Sequence, residues 1–154
     1  MKADAEVIKI LNGLVTYELT AINQYLIHGS LYANWGFEHL AAKAHESRAE
    51  EAKDVEKLIA RILFLEGAPD VVTYHPLRIG TSATKALEND LQHEREGQKY
   101  VNTSIERLRQ LGDHGSDELL REILGGEEKQ IDWLEIQLGL IKQLGEQLYL
   151  AQKI

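Results

Sequence analysis

An all-α fold of four long helices, with one long crossover between the second and third and a short fifth helix at the C-terminus, is predicted by three features of the sequence. Apolar residues recur at three- and four-residue spacing through four long segments, the signature of helices with one buried stripe. Both prolines, Pro69 and Pro76, fall in a single irregular stretch from Glu66 to Thr81, bracketed by Gly67 and Gly80. The other helical segments are separated only by short glycine-containing turns.

The first helix is expected from Ala3 to Tyr32, with Val7, Leu11, Leu14, Val15, Glu18, Ile22, Tyr25 and Gly29 on its inner stripe. Asn34-Trp35-Gly36 then makes a turn into a second helix from Glu38 to Leu65, where Glu51, Val55, Leu58, Ile62 and Leu65 face inward. Ser82 is suited to cap a third helix, because its hydroxyl can take one of the free N–H groups of the first turn. Leu87, Leu91, Glu94, Val101, Ile105 and Leu108 mark that helix's inner side. A turn over Gly112 to Gly115 precedes the fourth helix, expected to begin after Ser116 and to end at Gly145, with Leu120, Ile123, Glu127, Ile131, Leu134, Leu138 and Ile141 inward. The tail containing Leu148, Tyr149, Leu150 and Ile154 is the fifth helix. Residues 1–154 thus form one domain, a length that supports a sizeable core.

Loop lengths fix the topology. Short turns make helices one and two antiparallel, and likewise three and four. A helix of about 28 residues is about 42 Å long, and the extended stretch from Glu66 to Thr81 reaches up to about 55 Å. The crossover can therefore run the length of the bundle and leave helices two and three parallel.

A net charge of −8 and the lack of a basic stripe argue against nucleic acid as a partner. No apolar run suggests a membrane span, and the N-terminal MKADAEVIKI has no apolar signal region, so the cytoplasm is the expected location. The chain has no cysteine, which removes disulfides, thiolate metal sites and cysteine nucleophiles.

The chemistry lies in Glu18, Glu51, Glu94 and Glu127. Each falls about halfway along its helix on the stripe that should face the core. Four converging carboxylates without basic partners would lose hydration and repel one another. A bound cation cluster resolves both problems, and a dimetal site in a four-helix bundle is built in this way, from two single Glu residues and two Glu-x-x-His pairs. Residues three apart share a helix face, so both can reach one metal. Glu18 and Glu94 match the single acids, but the pairs read Glu51-Ala52-Lys53-Asp54 and Glu127-Glu128-Lys129-Gln130, with oxygen donors at both histidine positions.

Four strings carry a family resemblance over the whole chain: ELTAINQYLIH (Glu18 to His28), NWG (Asn34 to Gly36), RILFLEG (Arg61 to Gly67) and EEKQIDWLE (Glu127 to Glu135). In these the chain resembles bacterioferritin, a ferritin-like protein. The resemblance implies a hollow homo-oligomeric shell of twenty-four subunits that stores ferric mineral, a di-iron ferroxidase centre inside each bundle, and haem between paired subunits. Glu18, Glu51, Glu94 and Glu127 match the family carboxylates, Tyr25 matches the tyrosine close to the centre, and Asp54 and Gln130 stand where the family has histidines. Ala52 occupies the position of the haem-ligating methionine, and the only methionine here is Met1. Haem is therefore not expected in a homopolymer. Five carboxylates and an amide form a hard oxygen set that suits Mg, Mn or Ca better than an imidazole-bearing set does. Non-haem ferritins use glutamine in the fourth helix and still oxidise iron, which makes Asp54 the more consequential change.

Two functional readings follow from the resemblance. In one, the altered site still oxidises Fe(II) with O₂ as a ferroxidase and the shell stores the product. In the other, the chain is a structural or mineral-nucleating subunit that co-assembles with an active haem-binding paralogue. A DNA-protecting mini-ferritin is disfavoured by the in-bundle acids and the acidic N-terminus. Glu46 and Glu50, one turn apart, are either a solvated face or an inner-surface iron site. Asp54 can serve as a ligand or turn toward Lys57 and water. Gln130 suits a hydrogen bond around the centre better than tight ligation. His93, in Asp90-x-x-His93, is expected on the surface or at a subunit contact, and His28 and His45 in structural or interface roles. Trp35 and Trp133 are expected to pack.

Overall fold

In the computed structural model, which describes residues Met1–Ile154, the chain is five helices and no strand. They are α1 (Ala5–Asn34), α2 (Glu38–Phe64), α3 (Ala83–Gln110), α4 (His114–Leu144) and α5 (Glu146–Ala151). The expected order holds, with small shifts at the ends. α1 starts two residues later than Ala3, because Asp4 caps it by accepting from the Glu6 N–H. α4 starts at His114, ahead of the expected Ser116, because Asp113 accepts from the Ser116 N–H and closes the turn after Gly112. Ser82 caps α3 as predicted, accepting from the Lys85 N–H. Gly145, at φ 84, ends α4 and opens α5.

Two apolar clusters fill the bundle, one on each side of the acid layer. Leu11, Leu14, Leu58, Ile62, Leu108 and Leu120 anchor the first. Tyr32, Leu40, Ala86, Leu87, Leu134 and Tyr149 anchor the second. α5 closes the second end: the Tyr149 hydroxyl donates to Gln137 and the His39 N–H donates to the Lys153 carbonyl. Between the two helical hairpins, α1 packs against α3 more closely than α2 against α4. Gly13 allows the close side, since a side chain there would collide with the Tyr100 ring, whose hydroxyl donates to the Ile10 carbonyl. The α2/α4 side is splayed, and that opening leads to the acids.

The crossover is fastened to α1 by a polar stripe that the sequence analysis overlooked. Asn12, Thr20, Gln24 and His28 recur at multiples of four along one face of α1. Asn12 donates to the Ala68 carbonyl and accepts from the Asp70 N–H. Thr20 accepts from the His75 N–H, Gln24 from the Arg78 N–H, and His28 Nε2 from the Gly80 N–H. This last bond fixes the tautomer: Nδ1 carries the proton and donates to Asp90 Oδ1 at 2.7 Å, where Gln24 Nε2 also donates. A crossover without regular structure has no ladder to satisfy its backbone, and these side chains take that role. Replacing His28 by Ala strands the Gly80 N–H and removes a donor from the buried Asp90. We expect a loss of about 2–4 kcal/mol in denaturant-midpoint measurements, against almost none for Thr103→Ala, whose exposed hydroxyl only bonds back to Lys99 within α3.

Candidate metal centre

Glu18, Glu51, Glu94 and Glu127 are all buried, one from each long helix, at 2%, 7%, 4% and 4% exposure. They share a layer between the two apolar clusters, with no Lys or Arg in hydrogen-bond or ion-pair contact with any of them. Glu18 Oε2 and Glu127 Oε2 are buried without any hydrogen-bond partner. Gly97 of α3 lies flush against the Glu127 carboxylate, where an added Cβ would stand 3.5 Å from Oε1.

Asp54, whose direction the sequence left open, faces the acids. Carboxylate oxygens of Glu18, Glu51 and Asp54 lie within 4.8 Å of one another, a spacing that suits a shared cation. Lys57 stands 4.0 Å from Asp54 but is engaged by Glu122 at 2.6 Å. Tyr25 donates to Glu94 Oε1 at 2.5 Å. Gln130 turns its amide nitrogen to the Tyr25 hydroxyl at 3.1 Å, so its N–H supports the tyrosine. Glu18, Glu51 and Asp54 therefore form a three-carboxylate position, whereas the Glu94 side of the layer has Tyr25 and Gln130 in place of a counterpart to Asp54.

The opening between α2 and α4 is a cavity of about 490 Å³ with no hydrophobic residue in its lining. Glu51, Asp54, Glu127 and Gln130 form its inner part, and Gly125 and Gly126 lower the α4 wall. Glu46 and Glu50 stand on its rim. Both are exposed, Glu46 beside Lys43 at 3.6 Å and Glu50 beside Lys53 at 2.8 Å. Ala52 is half-buried and offers no donor atom.

Two other residues need correction. His93, expected on the surface or at a subunit contact, is instead buried within the bundle, with its ring bonded to the Tyr17 carbonyl and packed beside the Tyr17 ring. Asp90, noted in the sequence only for its spacing to His93, is buried and anchors the α1 stripe. The signal that would have found it is the four-residue polar period of α1, which needs a buried partner.

Electrostatics follow from burial of the acids without a basic partner. Burial, and then the charge of Glu51, push Glu18 well above the usual carboxylate range; burial with Glu51 and Glu127 does the same to Glu94. Burial raises Glu51 less, because it accepts hydrogen bonds from Glu18 and Glu94. Glu127 is pushed up to about 8, chiefly by burial, and Asp54 to about 6, by burial and then by Glu51. The metal-free layer thus keeps protons on Glu18 and Glu94, which serve as donors to their neighbours.

A ferritin-like domain family model matches residues 8–144. The chain is 42% identical over 149 residues to the bacterioferritin of Brucella melitensis, covering 97% of this chain and 92% of that protein. It is 40% identical over 152 residues to the bacterioferritin of Mycobacterium leprae, covering 99% and 96%. It is 40% identical over 147 residues to that of Rhodobacter capsulatus, covering 96% and 91%.

The raised carboxyls set a pH dependence. Each holds its proton to higher pH folded than unfolded, so metal-free stability falls as pH rises from the unfolded carboxylate range toward the folded values, about 6 for Asp54 and about 8 for Glu127. Buried His93, whose pKa is lowered, opposes this only near and below its ordinary range. At about 1.4 kcal/mol per group and pH unit, Glu127 alone should cost the metal-free protein about 2 kcal/mol between pH 6 and 8. Glu127→Gln should flatten that slope in thermal or denaturant unfolding; an unchanged slope would contradict the assignment.

Proposed function

The chain belongs to the ferritin-like domain family and, within it, to the bacterioferritins, and on that premise we propose that it is an iron-storage shell subunit that oxidises Fe(II) with O₂ at its carboxylate layer. The observation that carries this reading is the burial of four glutamates on four helices without a basic partner. Such a layer costs free energy unless protons or metal cations neutralise it. A divalent metal adds what side chains lack, two positive charges at one point and, for iron, an electron to give.

Fe(II) is the substrate. Glu51 and Glu127 lie between the other acids and suit bridging positions; Glu18 and Glu94 are terminal, with Asp54 completing the Glu18 side. Entry requires the protons on Glu18 and Glu94 to leave, so cation binding tightens as pH rises. Tyr25 stays protonated, pushed up by burial and then by Glu94, and its hydrogen bond orients the Glu94 carboxylate. The lining of the α2/α4 opening, with Glu46 and Glu50 on its rim, offers iron a charged path. Ferric product would leave by the same wall to be stored as mineral. A shell is supported by the apolar side chains left exposed on the crossover, among them Val72, Tyr74 and Ile79, and by Leu63 and Phe64 near the end of α2. We assign no haem to a homopolymer, since Ala52 cannot ligate iron.

A second reading is favoured by the asymmetry of the layer. With Gln130 bonded to Tyr25, the Glu94 side of the layer has no counterpart to Asp54. A site that holds one cation well and a second weakly suits a structural or mineral-nucleating subunit beside an active haem-binding paralogue. The readings separate on addition of Fe(II) to the purified assembly, following O₂ uptake and ferric absorbance. The first expects oxidation faster than that of free iron, abolished in Glu18→Ala. Oxidation no faster than free iron selects the second. Either way, titration with Mn(II) or Zn(II) should show unequal affinities for two cations, and Asp54→Asn should weaken the tighter one by about tenfold or more, in keeping with the loss of one charged ligand.

A further inference from the structure

One helical turn from the carboxylate layer, toward the α5 end, lies a second polar layer that the proposed chemistry does not use. Ser47 precedes Glu51 by four residues on α2, Asp90 precedes Glu94 by four on α3, and Gln130 follows Glu127 by three on α4. With Tyr25 and Tyr32 of α1 and Lys43 of α2, these residues line a small cavity otherwise walled by apolar side chains such as Leu87 and Leu134. Only about 10 Å³ of it is open to the centre of a water molecule, close to the minimum of roughly 10–15 Å³ that one water requires.

Two of the lining residues carry hydroxyls that meet no protein partner. Tyr32 is 2% exposed and Ser47 is 4% exposed, and neither Tyr32 Oη nor Ser47 Oγ makes a hydrogen bond within the chain. A third group there is also incomplete: His28 and Gln24 both donate to Asp90 Oδ1, leaving Oδ2 without a protein donor. Buried hydroxyls and carboxylates almost always find partners, because leaving them bare costs about 1–3 kcal/mol each. Two donor–acceptor hydroxyls and one acceptor oxygen around a space of this size define the chemistry of the occupant. It must be about the size of water, must both donate and accept, and must be neutral, because Asp90, the one acid of the lining, already receives two hydrogen bonds and Lys43, its one cation, is paired with Glu46.

We infer that this cavity binds one small neutral hydroxylic molecule, water in the resting protein, held by Tyr32, Ser47 and Asp90, and that it ties α2 to α1 and α3 beside the carboxylate layer. The tie matters because α2 packs closely on α1 but only loosely on α4, across the splayed side of the bundle. Ser47 and Glu51 stand one above the other on α2, so holding the first steadies the second. The inference does not depend on the carboxylate layer being a ferroxidase.

A high-resolution crystal structure of the metal-free protein tests it directly. One density peak is expected within about 3.2 Å of both Tyr32 Oη and Ser47 Oγ, absent or displaced in Ser47→Ala. At fixed protein concentration, Tyr32→Phe and Ser47→Ala should each lower the unfolding midpoint by about 2–4 °C. The double variant should lose less than the sum, since both act through one shared molecule. A dry cavity, with Tyr32→Phe leaving the midpoint unchanged or raised, would overturn the inference, because removing a truly orphaned hydroxyl relieves its desolvation. A peak with ligand distances of about 2.0–2.4 Å would overturn it as well, by showing a cation.

Discussion

Burying four carboxylates at one level of a helical bundle is the constraint around which this molecule is organised. A packed apolar core stabilises a bundle without conditions, but an acid layer stabilises it only when protons or cations neutralise it. The sequence divides its core to accommodate that layer. Leu11, Leu58 and Leu108 seal one end, and Tyr32, Leu40 and Leu87 the other, so Glu18, Glu51, Glu94 and Glu127 lie in a band with dry material on both sides. In such surroundings Glu18 and Glu94 keep their protons well past the ordinary carboxylate range. The same surroundings make any arriving divalent cation strongly stabilising.

Access follows from unequal packing of the two hairpins. The α1/α3 side is close, with Tyr100 lying over Gly13, and the α2/α4 side is open, with Gly125 and Gly126 removing side chains from its wall. The opening carries acids and lysines together. Lys57 is drawn to Glu122 and Lys43 to Glu46, so the lysines are engaged near the rim and the innermost acids are left to one another. Asp54 sits where rim meets centre. Burial, and then the charge of Glu51, push its carboxyl up to about 6.

The crossover is part of the same design. It spans the bundle without regular structure, so α1 supplies it with acceptors at Thr20, Gln24 and His28. The last two converge on Asp90, one turn from Glu94 on α3. An external segment is thus joined by hydrogen bonds to a residue adjoining the acid layer. The polar groups that complete this region, Tyr25, Ser47 and Gln130, stand on the three other elements facing it.

The amino-acid sequence alone determined the helices, their order, the crossover and the four acids. Helical periodicity and capping are local properties, and a glutamate on an apolar stripe is conspicuous in one dimension. Even the substitutions at Asp54 and Gln130 were legible, because the i to i+3 spacing is a property of a single helix. What the tertiary structure decided was direction and partnership. Asp54 faces Glu18 and Glu51, Gln130 gives its N–H to Tyr25, His93 is buried against Tyr17, and Asp90 is a hub. Each of these outcomes depends on residues tens of positions away on other helices, so no local period encodes it. The α1 stripe shows where the boundary falls: its four-residue repeat is written in the chain, but the backbone groups it binds belong to a segment whose path only the packed bundle defines.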